Sequence, residues 1–265
     1  MVDHIPTCLL AGGLGTRLSE KTEDKPKPMV EIGQYPMLWH IMKYYSTFGF
    51  QDFKIALGYR GDVIKDYFLK YHMMRSNLSI DLKTGTTTVT KSDTEAWNID
   101  LIETGLHTQT TGRIRQICEQ LTSKEFFLTY GDGLSDVDLN KLLQFHRSHG
   151  KLVTVTAVRP PARFGVMKID GHQVTSFEEK PQLGEGWING GFFVVDVGIL
   201  PYLTDDMMPF EYGPMKQLAL EGQLMTYMHN GFWACMDTLR DVRSLDRMWQ
   251  DDKAPWRIWD RQREA

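Results

Sequence analysis

The sequence predicts an α/β fold of three layers, a mixed but mostly parallel sheet covered by helices on both faces, with one hairpin projecting from it. Strand and helix signals alternate through the first half, the pattern of a parallel sheet built from βα units. A glycine-rich run follows directly on the first short apolar stretch, where open α/β sheets hold their ligands. A polar, β-branched segment centred on Thr84-Gly85 then breaks the rhythm, as a projecting hairpin would. At 265 residues the chain can bury a full core as one large unit. We divide 1–265 into a first half to about residue 150, a second over about 151–250 and a tail, 251–265.

The elements follow in order. Residues 7–10 form an apolar strand, and 36–48 place Leu38, Ile41, Met42 and Tyr45 on one helical stripe. Residues 53–57 give the next strand, and Val63, Ile64, Tyr67, Phe68 and Tyr71 a second amphipathic helix. The hairpin occupies 79–90. A helix carrying Ile114, Ile117, Cys118 and Leu121 opens at Gly112 and leads into the strand 126–130, which leaves Asp132 at a strand's C-terminal end. After a helix over 138–149, strands at 152–158, 165–169, 174–177 and 187–195 come so closely spaced that this half is expected to be partly antiparallel. Helices at 215–221 and 240–249 surround a final strand pair within 224–236. Trp256 and Trp259 stand in a tail that would ordinarily fray. Docking on their own domain and burial in a subunit interface account for them equally well.

Net charge of −4 supplies no electrostatic footprint for nucleic acid or an anionic membrane, so small-molecule ligands are expected. Cys8, Cys118 and Cys235 are odd in number and form no CxxC, which argues against a disulfide framework or a zinc site and for a reducing, cytoplasmic setting. The first residues lack a basic and an apolar region, and no apolar run reaches membrane-spanning length.

The most informative segment is Leu10-Ala11-Gly12-Gly13-Leu14-Gly15-Thr16-Arg17, followed by Lys27 between two prolines. Glycines let backbone N–H groups close on an anion, and Arg17 and Lys27 bring the opposing charge. An ordinary strand-to-helix turn would explain GxG alone. A dinucleotide fingerprint wants Gly or Ala where Leu18 stands and an acidic residue closing a second strand, whereas Glu31 leads into Gly33 and a helix; no Gly-Lys-Ser/Thr completes a P-loop. What remains is a triphosphate cradle with Arg17 and Lys27 as its cations.

LAGGLGTRLSE with KPKPMVEIG resembles the signature of the sugar-phosphate nucleotidylyltransferases. Further segments resemble the glucose-1-phosphate cytidylyltransferase branch: Glu95-Ala96-Trp97-Asn98, Thr111-Gly112-Arg113, Tyr130-Gly131-Asp132-Gly133, Arg163-Phe164-Gly165, Glu178-Glu179-Lys180-Pro181, Ile188-Asn189-Gly190-Gly191-Phe192-Phe193 and Met236-Asp237-Thr238-Leu239-Arg240-Asp241. Together they run over nearly the whole chain. The resemblance implies a Rossmann-like nucleotidyltransferase fold and transfer of a cytidylyl group from CTP to α-D-glucose 1-phosphate, giving CDP-glucose and pyrophosphate with Mg2+ as cofactor. The same chemistry with UTP, dTTP or another phosphorylated acceptor changes only pocket walls. A nucleotide-binding regulatory protein without turnover is the alternative from another class, and the joint presence of the charged residues argues against it.

Such a reaction needs no general base, since the acceptor phosphate is already an anion; it needs cations to offset the repulsion between phosphates. By resemblance Arg17 stabilises the leaving pyrophosphate and Lys27 the triphosphate, with Arg17, Lys27 and Asp132 forming the catalytic set. Leu10, Ala11, Gly12, Gly13, Gly15, Thr16, Arg113 and Gly131 complete the nucleotide side. Asp132 and Asp237 each leave a strand as lone carboxylates, which suits Mg2+, an ion bound through one or two carboxylates together with substrate phosphates; turn or helix-cap roles are their structural alternative. Glu179 is implied to accept from sugar hydroxyls and Lys180 to reach the sugar phosphate, with Gly165 and Asn189 beside them; a surface ion pair is the plainer account of Glu179 and Lys180. Arg113 would otherwise be a solvated helix charge. The family's Thr-Gly-Gly-Arg reads Thr110-Thr111-Gly112-Arg113 here, one permissive glycine fewer in the loop expected to meet the base. The eight histidines form no ligand constellation. A homo-oligomer is expected.

Overall fold

The computed structural model describes residues 5–13, 15, 18–159, 166–170, 173–178 and 186–260. The first half runs β1 (Thr7–Leu10), α1 (Ser19–Thr22), β2 (Glu31–Ile32), β3 (Tyr35–Pro36), α2 (Met37–Thr47), β4 (Asp52–Leu57), α3 (Gly61–Met74), β5 (Ser76–Asp81), β6 (Thr86–Ser92), β7 (Asn98–Glu103), α4 (Thr110–Cys118), β8 (Glu125–Tyr130), β9 (Gly133–Ser135) and α5 (Leu139–His149). The second runs β10 (Val153–Val158), β11 (Val166–Asp170), β12 (Gln173–Glu178), β13 (Ile188–Asn189), β14 (Phe193–Asp196), α6 (Pro214–Leu220), β15 (Leu224–His229), β16 (Trp233–Cys235) and α7 (Leu239–Gln250).

β1 lies inside the main sheet, parallel to β4 on one side and β8 on the other, and β4 pairs in parallel with β7. β14 runs antiparallel between β8 and β10, β13 extends its line along β10, and β15 lies parallel to β10 on the far side. The sheet is thus mixed and mostly parallel, with β14 and β13 running against the rest. Period-two alternation sends neighbours to opposite faces. Leu9, Phe53, Ile55, Phe127 and Val194 pack with residues of α2, α5 and α7, while Cys8, Leu10, Ala56, Leu128 and Val195 pack with α4 and α6. Two cores separated by one sheet make the three layers.

Three departures from the sequence expectations bear on the topology. The strand read over 187–195 is broken at Gly190–Phe192, where Gly191 and Phe192 have φ of +73° and +48°. There the Trp233 indole donates to the Gly190 carbonyl at 2.7 Å, a contact from a distant strand. The strand pair read within 224–236 does not pair with itself: β15 joins the main sheet through β10, and β16 pairs with β9. β7 was not anticipated, because half its residues are polar, as suits a strand flanked on one side only.

Local signals hold elsewhere. Asp138 caps α5 by accepting from Lys141 N–H at 3.0 Å, and Gly150 closes it at φ +63°. β5 and β6 form the projecting hairpin. The tail docks on its own domain: Trp256 is fully buried, stacks on Phe232 and donates to His40 Nδ1 at 3.4 Å. His40 Nε2 lies 2.9 Å from the Ile32 carbonyl, so the ring accepts from one side and donates to the other, and burial drives its pKa down to about 4. No helix among the described residues is long and apolar enough to cross a membrane.

Candidate active site

Parallel strands end together, so β1 and β8 deliver their following loops to one edge of the sheet. A cleft of about 610 Å3 opens there. Leu10, Ala11, Gly12, Gly13, Gly15, Lys27, Arg113, Gly131, Asp132 and Asp237, each expected at the site, line it. Thr16, Arg17, Gly165, Glu179 and Lys180 lie outside the described residues. Asn189 is exposed and stands apart from the cleft lining; its amide donates to the Tyr130 hydroxyl at 3.3 Å.

The glycine loop is built around close approaches. Gly15 has φ +63°, a region costly for side chains, and its carbonyl accepts from the Thr22 hydroxyl at 3.1 Å. A Cβ on Gly12 would stand 2.2 Å from the Arg113 guanidinium. Arg113 is only 4% exposed, which rules out a solvated helix charge. It donates to the Leu57 carbonyl (2.7 Å), the Thr104 hydroxyl (2.5 Å) and the Gly12 carbonyl (3.1 Å). All three acceptors are neutral, and burial lowers its pKa. A buried cation with neutral partners leaves its charge to act on whatever enters the cleft.

The helix bearing Arg113 begins at Thr110, two residues before the start read from sequence, so Gly112 lies inside α4. Its missing side chain serves packing: a Cβ there would come within 2.7 Å of Thr108 and Asp206 side chains. Thr111, in the place of the family's other glycine, takes helical backbone and is buried with its hydroxyl unpaired.

Lys27 opens a short 3₁₀ turn, Lys27–Met29, between Pro26 and Pro28. Its ammonium donates to Asp132 Oδ2 at 2.6 Å and to Asp237 Oδ1 at 2.5 Å. The carboxylates come from residues 105 positions apart in sequence, and the small β9–β16 sheet joins them: Gly133 pairs with Cys235, and Met236 N–H donates to the Asp132 carbonyl at 2.9 Å. Thr238, not Asp237, caps α7, in a capping box with Asp241, so the cap role considered for Asp237 does not hold. Burial alone would lower the Lys27 pKa, and the two aspartates outweigh it and hold it above the usual lysine value.

Ligand atoms of Asp132, Asp237 and Cys235 lie within 4.8 Å of one another. Two carboxylates that close, lining the cleft, fit a hard divalent ion that keeps waters and shares substrate oxygens. Burial and the neighbouring Asp132 carboxylate push the Cys235 thiol up, so it is protonated beside them.

Sequence reasoning missed part of the cleft. Leu106, His107, Thr108 and Gln109, with Met207, also form part of its wall. Two lining residues, Tyr130 and Thr110, are joined through Glu211: the Tyr130 hydroxyl donates to Glu211, and the Thr110 hydroxyl donates to the other carboxylate oxygen at 3.4 Å. Glu211 and Met207 lie in an irregular stretch with no periodicity or motif to single them out.

A family model for nucleotidyl transferases matches residues 7–251. The chain is 47% identical over 253 residues to glucose-1-phosphate cytidylyltransferase of Salmonella typhi, covering 95% of this chain and 98% of that one, and equally so to its Salmonella typhimurium counterpart. Among solved structures, HddC from Yersinia pseudotuberculosis complexed with GMP-PN aligns with TM-score 0.67 at 24% identity, over 92% of this chain and 99% of that one, a likeness of fold. The chain belongs to the nucleotidyl transferase family, in its glucose-1-phosphate cytidylyltransferase branch.

Proposed function

We propose that this enzyme transfers the cytidylyl group of CTP to α-D-glucose 1-phosphate. A phosphate oxygen of the sugar attacks the α-phosphorus, the bond to the bridging oxygen of the β-phosphate breaks, and pyrophosphate leaves. The observation that carries the reading is the convergence of Lys27, Asp132 and Asp237 in a glycine-lined cleft. Asp132 and Asp237 would hold Mg2+, which when bound neutralises phosphate charge.

The other steps belong to the chain's own residues. The glycine loop and the buried Arg113 receive the triphosphate, and Lys27 together with Arg17 offsets charge gathering on the leaving pyrophosphate. Glu179 and Lys180 take the sugar and its phosphate, with Gly165 and Asn189 alongside. The wall from Leu106 to Thr110 meets the base. The three free thiols suit a cytoplasmic enzyme.

The test is pyrophosphate release with each of CTP, UTP, dTTP and GTP against glucose 1-phosphate in Mg2+. CTP is expected to give the highest kcat/KM. A preference for another triphosphate refutes the base assignment, and binding without release in every pairing makes the chain a nucleotide-binding regulator.

The same reading includes self-association through the hairpin. Every residue from Asn77 to Ser92 is exposed, among them Leu78, Ile80, Leu82 and Val89. A lone hairpin is marginal in water, and cover from a second copy would stabilise it. Light scattering is expected to give a multimer that Ile80→Lys with Leu82→Lys reduces; a wild-type monomer at micromolar concentration refutes it.

A further inference from the structure

The contact between Lys27 and the two aspartates carries a consequence for how the site loads. Backbone pairing between β9 and β16 brings the two aspartates together, and their ligand atoms lie within the 4.8 Å span that also includes Cys235. Two anions so placed need a cation between them, and the Lys27 ammonium stands there, 2.6 Å from one and 2.5 Å from the other. A magnesium-sized ion binds carboxylate oxygen at about 2.0–2.1 Å. An ammonium and such an ion cannot hold the same two oxygens at once without lying within a few ångströms of each other, like charge against like charge.

The root of Lys27 is fixed, and beyond it a flexible aliphatic stem carries the ammonium. Pro26 and Pro28 flank it, Pro28 is buried, and Val30 N–H closes the turn on the Lys27 carbonyl at 3.1 Å. The stem leaves this turn beside the glycine loop: a Cβ on Gly15 would stand 3.3 Å from Lys27 Cβ. The ammonium therefore has two anionic destinations within a side chain's reach, the aspartates and whatever phosphate the loop receives.

We propose that Lys27 is an internal counter-ion that competes with the divalent ion for Asp132 and Asp237, and that an arriving triphosphate draws the ammonium away and so opens the pair to the ion. Metal and nucleotide then load synergistically, and the carboxylates are never left as an unpaired couple. This rests on the reading of the two aspartates as the ion's ligands, and the experiment separates failure of one from failure of the other.

The experiment titrates Mn2+ alone into the full chain, read by electron paramagnetic resonance of free Mn2+, for wild type, Lys27→Met and Lys27→Gln, each also carrying Asp237→Asn. Removing the competitor is expected to tighten Mn2+ binding by about tenfold or more, and Asp237→Asn to abolish the gain. Equal or weaker Mn2+ binding in folded Lys27→Met or Lys27→Gln, still lost with Asp237→Asn, overturns the competition and leaves the ion's ligands standing. Binding indifferent to Asp237→Asn overturns the ligand reading itself. A measurement on wild type needs no variant to fold: acylation of Lys27 by an amine-reactive ester, read by peptide mass spectrometry, is expected to rise several-fold on adding Mg2+ and to fall again on adding CTP. Labelling unmoved by Mg2+ refutes displacement of the ammonium.

Discussion

Replacing Arg113 by methionine, an unbranched apolar side chain of comparable length, tests what a buried cation with neutral partners is for. Two of the three acceptors it would abandon keep another donor, and the third, the Thr104 hydroxyl, still donates to the Leu57 carbonyl. The Leu57 carbonyl retains the Thr104 N–H at 3.3 Å and the Thr104 hydroxyl at 2.6 Å, and the Gly12 carbonyl retains the Tyr59 N–H at 3.2 Å. Both carbonyls stay satisfied and the Thr104 hydroxyl keeps its bond to the Leu57 carbonyl, and removing a desolvated charge returns part of what the lost bonds contributed. The net stability loss is expected to stay under about 2 kcal/mol, a Tm decrease of roughly 4–8 °C for a chain this long. Nucleotide binding loses a charge-assisted interaction of about 1.5–3 kcal/mol, a rise of roughly 10- to 150-fold in KM for CTP. The assays are a thermal melt and initial rates at saturating glucose 1-phosphate. A CTP KM within about twofold of wild type, with Tm lowered by more than roughly 10 °C, would make Arg113 a scaffold brace and refute the reasoning.

Four further outcomes are expected. Lys27→Ala should cost on the order of 10²-fold in turnover, as loss of an electrostatic stabiliser does, and near-normal kinetics would remove it from the reaction. Asp237→Asn should abolish turnover in Mg2+ while leaving α7 capped by Thr238 and the melt nearly unmoved; retained activity contradicts its metal role. Trp256→Ala should lower stability by about 3–5 kcal/mol in urea titrations, and a loss below about 1 kcal/mol would show the tail to be peripheral. His40 and His146 are buried with pKa values lowered to about 4, so both are neutral in the fold and gain protons more readily when unfolded. Their contribution is complete above pH about 6.5 and is lost as pH falls toward 4, about 3 kcal/mol for each; His146→Gln should flatten that decline, and an unchanged pH profile would count against it.

Much of the fold was legible because its signals are local. The stripe Leu38, Ile41, Met42 and Tyr45 marks α2, the apolar runs mark β1, β4 and β8, and the helix read over 138–149 is α5, which the structure shows bounded by Asp138 and Gly150. β15 and β16 were read as partners because they are neighbours in sequence, whereas strand pairing is settled by which edges are available. The glycine loop, Lys27, Asp132 and Asp237 were legible as motif residues, yet nothing in their spacing foretells an ammonium held between two carboxylates. Glu211 and Met207 were invisible, since a residue in an irregular stretch acquires its meaning only from what faces it.

By itself, then, the amino-acid order determined the α/β class, the glycine loop and the side chains able to carry the proposed chemistry, because backbone propensity and hydrophobic period act over a few residues. The tertiary structure alone decided that Arg113 is buried, that the Trp256 tail closes on His40, and that Lys27 meets carboxylates 105 and 210 residues away. Those are matters of desolvation and distance, and charges far apart along a chain interact only once folding has brought them within a few ångströms and expelled the water between them.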